Sequence, residues 1–292
     1  MTAPSVPILE LRGVVRDDPA PRGAPAPPAL LGCTMQVRPG EIVAVTGSAG
    51  AGKTTLLLVA AGRVPPSGGV VRWAGRPGPD DVRPQLVGPR PWEYGLMTVR
   101  QAVACHAERL HRRDPAYEPP TRFVPVLTRV GLRGAARHRL GALDPLDQFR
   151  VVLAQALLAE PRLLCCDEPF AFLGPGARDD GARLLRTIAS DGVALLIATR
   201  DAAGVTALAD RTLRLDRGRL RQALPRTQLT LDLAVAQPAR AARRLESRLP
   251  SLLRRGRRLR VPLEGRSPEA ILALCREAGV EVRGSQVAET LV

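Results

Sequence analysis

The sequence predicts an α/β fold, a parallel sheet flanked by helices, carrying an inserted helical subdomain and a small C-terminal α+β unit. Three observations predict it. The short apolar runs Ile42-Val43-Ala44-Val45, Leu163-Leu164-Cys165-Cys166 and Val193-Ala194-Leu195-Leu196-Ile197-Ala198 read as strands buried on both faces. Helical stretches separate them, and strand, helix, strand in that order implies parallel neighbours joined by crossovers. After about Arg226 the pattern becomes a strict apolar/polar alternation, the mark of half-buried strands.

Taken in chain order, residues 8–15 form a first strand through Ile8-Leu9-Glu10-Leu11 and Val14-Val15. Pro19–Pro28 is loop, because proline supplies no backbone donor. Gly40-Glu41 turns into the strand Ile42–Val45, and after a glycine-rich turn Lys53–Ala61 is helical until Gly62 stops it. Thr98 to Ala142 reads as helical and marks a subdomain of about residues 96–149 inserted between core strands. Val151–Ala159 is a helix ended by Pro161, and Ala182–Ala189 is a helix between the last two core strands. In the C-terminal part Leu229, Leu231, Leu233 and Val235 alternate, as do Leu259, Val261 and Leu263, with an Arg-rich helix between them. Ser267-Pro268-Glu269 then opens a helix with an N-cap serine and an N1 proline, and Gly279 closes it. The domains are therefore 1–226 and a small α+β unit at 227–292.

Composition narrows the class. The 292 residues can bury a full core without disulfides, and 45% are hydrophobic, yet no stretch approaches the ~18 apolar residues of a membrane span. The start, Met1-Thr2-Ala3-Pro4-Ser5-Val6-Pro7, lacks a secretory pattern, so a soluble, cytoplasmic chain is expected. Five cysteines without a C-x-x-C pair imply neither a disulfide framework nor a zinc site. Cys165 and Cys166, adjacent in one strand, should face opposite sides of the sheet. The net charge of +15 and the nine arginines from Arg240 to Arg260 invite a nucleic-acid or anionic-membrane reading. However, Lys53 is the one lysine among 43 Lys and Arg residues, and arginine is spread through every segment, which reads as a coding bias. A nucleic-acid partner is therefore not expected.

Gly47-Ser48-Ala49-Gly50-Ala51-Gly52-Lys53-Thr54 matches G-x-x-x-x-G-K-[ST] between a buried strand and a helix, the context a P-loop requires. Its glycines let backbone N–H groups turn inward onto a β-phosphate, the helix N-terminus favours negative charge, and Lys53 reaches the β- and γ-phosphates. Thr54 would hold magnesium. That an arginine-biased chain keeps its one lysine here fits the need for a compact ammonium where a planar guanidinium would not serve. Such a loop needs carboxylates at a neighbouring strand end, and Asp167 and Glu168 supply them: Asp167 for magnesium, Glu168 to orient or deprotonate water.

These motifs define a P-loop ATPase, and the flanking text resembles the nucleotide-binding domain of ABC transporters. The resemblance rests on Gly40-Glu41, Thr54-Thr55-Leu56-Leu57, Ala61-Gly62, Pro65-Pro66-Ser67-Gly68-Gly69, Gly75, Thr98-Val99-Arg100, Arg150–Leu157 with Pro161, and Leu215-Asp216-Arg217-Gly218-Arg219, over about residues 8–222. The tail ending in Gly279-Val280-Glu281-Val282-Arg283 is similar to the appendage of drug-exporter-type members. The resemblance implies nucleotide contacts along Gly47–Thr54 and at Thr55, with ATP and Mg2+ as ligands. It also implies a separate membrane-spanning permease as partner, through which the chain would sit peripherally at the inner face of the cell membrane.

Four motifs depart from the family. Where Leu-Ser-Gly-Gly-Gln should grip the γ-phosphate of an opposing subunit, the chain reads Leu143-Asp144-Pro145-Leu146-Asp147, with two carboxylates and one donor fewer. The switch histidine is replaced by Arg200, which can meet a phosphate but relays no proton at neutral pH. Gly174 stands where an aspartate is usual, and the magnesium-contacting Gln or Glu falls on Pro89, with Gln85 as a shifted substitute. No aromatic residue near Asp17 is available to stack on adenine. The expected function is the ATP-binding subunit of an exporter, hydrolysing slowly if at all and working in a heterodimer with a second ATPase subunit. The alternatives are a regulatory half that holds ATP without turnover, and a nucleic-acid-associated ATPase.

Overall fold

The computed structural model describes residues 6–17, 28–88, 95–120, 123–222, 227–245, 248–249, 252–255, 258–263 and 267–291. Most of the expected loop Pro19–Pro28, and Pro89, lie outside them. The chain divides into two compact units, Met1–Gln222 and Ala223–Val292.

The first unit opens with β1 (Leu9–Arg16), β2 (Leu30–Val37), β3 (Ile42–Thr46), α1 (Lys53–Ala60), β4 (Gly68–Trp73) and β5 (Gln85–Val87). There follow α2 (Val99–Arg113), α3 (Val124–Arg129), α4 (Pro145–Leu157), β6 (Leu163–Asp167), α5 (Pro175–Ser190), β7 (Ala194–Thr199), α6 (Ala202–Thr206), β8 (Arg211–Asp216) and β9 (Arg219–Gln222). The central sheet has the order β5-β6-β7-β3-β8-β9; its first five strands run parallel, and β9 returns antiparallel to β8. That return is a two-residue turn with φ 45° at Arg217 and 76° at Gly218, the left-handed pair that matches hairpin twist. A second, antiparallel sheet orders β2-β1-β4.

The apolar runs behave as two-faced strands. Ile42, Ala44, Leu164, Cys166, Leu195 and Ile197 enter one core cluster, with residues of α2, α4 and α5. Val43, Val45, Leu163, Cys165, Leu196 and Ala198 enter the other, with α1 and the antiparallel sheet. The two adjacent cysteines thus point into opposite cores, and burial raises the pKa of both thiols, that of Cys166 to about 12.

Several boundaries differ from the sequence reading. Helix α4 begins at Pro145 rather than Val151, and α5 at Pro175 rather than Ala182, because a proline at the first helical position is preceded by a cap residue, Asp144 and Gly174. The stretch Thr98–Ala142 is not one helical run. Helix α2, closed at its start by a Thr98/Gln101 capping box, ends at Arg113 before the prolines at 115, 119 and 120, and α3 is followed only by short 3-10 turns at Arg133–Ala135 and Leu140–Ala142. The apolar pattern does not mark β2, β4, β5, β8 and β9 as strands. Each is short or solvated on one face.

The second unit contains β10 (Thr227–Val235), α7 (Pro238–Leu245), β11 (Leu253–Arg255), β12 (Arg258–Pro262), α8 (Pro268–Glu277) and β13 (Val282–Leu291). Its antiparallel sheet has the order β11-β12-β10-β13, a ferredoxin-like βαββαβ arrangement. Strands β11 and β13 add to the two read from alternation. Leu231, Leu233, Leu259 and Val261 pack with Leu245 and Ile271 in a separate core, and Ser267 caps α8 through a bond from the Ala270 N–H.

Leu164 is fully buried between Gln85 on β5 and Leu195 on β7. Leu164→Ala should lower unfolding free energy by about 2–5 kcal/mol, the cost of a core truncation that leaves a cavity. Denaturant unfolding followed by circular dichroism measures it, and a loss under about 1 kcal/mol would contradict this packing.

Candidate functional site

The P-loop crosses from the C-terminal end of β3 to the start of α1. Gly52, the residue before α1, has φ 98°, and Gly50 has φ 73°, backbone states that favour glycine. Space is as restrictive as torsion: a Cβ on Gly47 would stand 2.3 Å from the Leu215 carbonyl oxygen, and one on Gly52 would stand 2.2 Å from that of Ala29. The loop is clamped from the β8–β9 turn, where the Gly218 N–H donates to the Ala51 carbonyl at 3.2 Å and the Leu31 N–H donates to Gly218 at 2.7 Å. Ser48, Ala49 and Gly50 form the exposed crest.

Lys53 is buried at the first position of α1 and donates to the carbonyls of Gly47 and Ser48, each at 2.8 Å. Burial lowers its pKa from the ordinary lysine value; the Glu168 and Asp167 carboxylates oppose that shift, and the Arg200 guanidinium adds to it. Four side chains from three chain segments therefore feel one another here. Thr54, exposed on the next position, donates its hydroxyl to Asp167 Oδ2 at 2.7 Å, and Thr55 is partly exposed beside it.

Asp167 ends β6, and Glu168 follows it with φ 47°, an uncommon state for a residue other than glycine. The Glu168 N–H is fixed to the Ala198 carbonyl at 2.8 Å. Its carboxylate is held on both oxygens: the Thr199 hydroxyl donates to Oε2 at 2.9 Å, while the Arg200 N–H and Nε donate to Oε1 at 3.0 and 3.2 Å. Thus Gly47–Thr54, Asp167, Glu168 and Arg200 converge. Thr199 was missed by sequence reasoning as a partner of Glu168. The signal was available: ligand groups gather beyond the carboxyl ends of adjacent parallel strands, and Thr199 is the last residue of β7.

Other expected residues lie elsewhere or are engaged. The Gln85 side-chain amide donates to the Arg83 carbonyl at 3.3 Å. Gly174 caps α5. The Leu143–Asp147 segment is the N-terminus of α4: Asp144 Oδ1 accepts the Asp147 N–H at 2.8 Å, Pro145 has no N–H, and Asp147 pairs with Arg150 at 2.8 Å. A carboxylate of the chain itself thus occupies the positive end of that helix.

A family model described as "ABC transporter" matches residues 30–171. A thiamine import ATP-binding protein, ThiQ of Cereibacter sphaeroides, is 34% identical over 201 residues, covering 66% of this chain and 85% of that protein. The chain belongs to the ABC transporter ATP-binding family. A taurine import ATP-binding protein, TauB of Yersinia pestis, is 35% identical over 204 residues, covering 65% of this chain and 75% of its own length. Among solved structures, the ADP conformation of MJ1267, an ATP-binding cassette of an ABC transporter, matches with TM-score 0.64 at 20% identity, over 74% of this chain and 89% of that one. This ABC subunit therefore has the P-loop NTPase fold of such cassettes. Both of these relatives are named as importers, so their names do not support the expected exporter type.

The Asp144 cap has a measurable worth. Asp144→Ala should destabilise the ABC unit by about 1 kcal/mol, and Asp144→Ser should restore most of it, because a hydroxyl can replace the carboxylate as acceptor. Thermal unfolding of the two variants checks this; equal melting for both would show that no cap operates.

Proposed function

We propose that this ABC subunit binds Mg-ATP on the P-loop and transmits nucleotide occupancy to a separate membrane-spanning permease. The observation that carries the reading is the Thr54–Asp167 contact of 2.7 Å beside Lys53, which brings a hydroxyl and a carboxylate to one point next to a phosphate cradle. Two such hard oxygens suit Mg2+, which takes few protein ligands and completes its shell with water and phosphate. Among the described residues no group of three or more His, Cys, Asp or Glu could hold a metal ion, in keeping with a site that phosphate must finish. The Mg2+, when bound, would offset charge on the β- and γ-phosphates.

The chain's own residues do the rest. Backbone N–H groups of Gly47–Gly52 cradle the β-phosphate, and Lys53 transfers its donors from the Gly47 and Ser48 carbonyls toward phosphate oxygens. Glu168 orients the attacking water and takes up its proton. The Leu143–Asp147 segment is poorly suited to grip a γ-phosphate from across a dimer, because Asp144 already fills the α4 terminus and adds negative charge. A second ATPase subunit with an intact grip would complete this chain's site, which supports a heterodimer over a homodimer. The names of these two relatives, both importers, favour import over export.

Among the described residues no helix is long and apolar enough to cross a membrane, which fits a subunit held at the inner face through its permease. The nucleic-acid reading gains nothing from the second unit. Arg248 pairs with Glu277 at 2.8 Å, Arg260 pairs with Asp232 at 2.7 Å, and Arg244 donates to the Gly279 carbonyl, so these arginines serve internal contacts.

Two outcomes test the reading. Since recognition runs through phosphates, ATP and GTP with Mg2+ should bind within about tenfold, or roughly 1.4 kcal/mol, and Lys53→Ala should remove both; a hundredfold preference for ATP in a fluorescence titration contradicts it. The isolated chain should hydrolyse ATP ~10²–10³ slower than with a partner supplying the missing donors, the usual cost of an absent electrostatic clamp. Brisk phosphate release by the chain alone, abolished by Glu168→Gln, would sink the heterodimer.

A further inference from the structure

The second unit contains a cleft of about 350 Å³, in the lower part of the ~300–1,000 Å³ range of small-molecule sites. It lies where β10 passes into α7 and where α8 passes into β13, so two connections of one unit form its walls. Val235, Ala241 and Val280, all buried in the core of that unit, give the cleft an apolar part.

The polar lining is mostly cationic. Arg240 and Arg244 stand four residues apart on α7, a spacing that puts both on one side of the helix. Arg244 is anchored, since its Nη1 donates to the Gly279 carbonyl at 2.9 Å across the cleft's two connections. That bond spends one donor on a neutral acceptor and leaves the positive charge uncancelled. Arg240 is exposed, and among the described residues no hydrogen bond or ion pair holds its guanidinium. Gln237 adds an amide and Glu281 a single carboxylate, so positive charge exceeds negative along the lining.

Arg240 is also placed against the local electrostatics. It is the third residue of α7, whose first turn holds no acidic residue, and a helix N-terminus already carries partial positive charge. The like charge of Arg244 one turn later adds repulsion. An anion between the two side chains would reverse both effects.

We propose that this cleft binds a small organic anion, with a carboxylate or phosphate group between Arg240 and Arg244 and an apolar body against Val235, Ala241 and Val280. A planar guanidinium donates two parallel N–H bonds to such a group, and the apolar lining selects for the body that carries it. The site is independent of the nucleotide reading, because all of its lining belongs to the unit Ala223–Val292.

The test is isothermal titration of the full chain, without nucleotide, with 3-methylbutanoate, isopentyl phosphate, acetate and 3-methylbutan-1-ol. Acetate keeps the charge without the body, and the alcohol keeps the body without the charge. At least one branched anion should bind, about tenfold or more tighter than acetate for the three extra carbons it buries, and the alcohol should not bind measurably. Preference for the carboxylate or for the phosphate then assigns the headgroup. Arg240→Ala should weaken the branched anion about tenfold, as loss of a charge-assisted pair implies, without lowering the melting temperature of the chain. Arg243→Ala, which removes a neighbouring arginine outside the lining, should leave binding within about twofold, and Lys53→Ala should leave it unchanged. The proposal is overturned if neither branched anion binds with Kd below about 10 mM, if the alcohol binds as well as the anions, if Arg240→Ala and Arg243→Ala weaken binding alike, or if Lys53→Ala abolishes it.

Discussion

The candidate site depends on the register of three neighbouring parallel strands. Thr46 of β3 lies opposite Thr199 of β7, and Asp167 of β6 lies opposite Ala198 of β7, so three chain segments leave the sheet at nearly the same level. From that edge the P-loop, the Asp167-Glu168 pair and Thr199-Arg200 emerge side by side. Parallel pairing makes this possible, since each strand must be re-entered from the same end and every carboxyl terminus faces the same way. A one-residue slip of β6 would exchange the two core faces, moving Cys165 and Cys166 into each other's clusters and withdrawing Asp167 from Thr54. The apolar strands are thus as much a part of the site as its charged residues.

Close approach, more than hydrogen bonding, shapes the loop itself. Gly47 lies under Leu215 and Gly52 under Ala29, with no room for a methyl group on either. The Arg217-Gly218 turn presses on the same loop through Ala51. Residues more than 150 positions away in sequence therefore shape the P-loop. Because these clamps are backbone carbonyls and amides, they survive wide variation in side chains, which is how a chain so biased toward arginine retains the geometry.

Much of this was legible from the residues alone. The three central strands, the P-loop and its helix, the carboxylate pair and the opposed faces of Cys165 and Cys166 all follow from long apolar runs and fixed spacing. The edge strands were not legible, because β5 has three residues, and the β8–β9 hairpin alternates charged arginines with few apolar positions. The starts of α4 and α5 were hidden by proline, which reads as a breaker inside a helix yet is favoured at its first position. The hold of Thr199 on Glu168 is legible only through strand adjacency, for a threonine at a strand end is ordinary until its neighbour strand is placed beside it.

The segment at the start of α4 shows how a helix end can be satisfied by its own side chains. A helix terminus carries partial positive charge and several N–H groups without intrahelical partners, and these can serve either a distant phosphate or a local side chain. Here the local partner wins. Asp144 takes the Asp147 N–H, Pro145 removes another donor, and Arg150 settles on Asp147, so the terminus is satisfied within its own subunit. A terminus that is already neutralised gains little from a second anion and repels it at close range. The P-loop leaves its crest exposed, whereas the α4 terminus is occupied by the chain's own carboxylate. A helix end satisfied in this way has less to offer a second anion than the open crest of the P-loop.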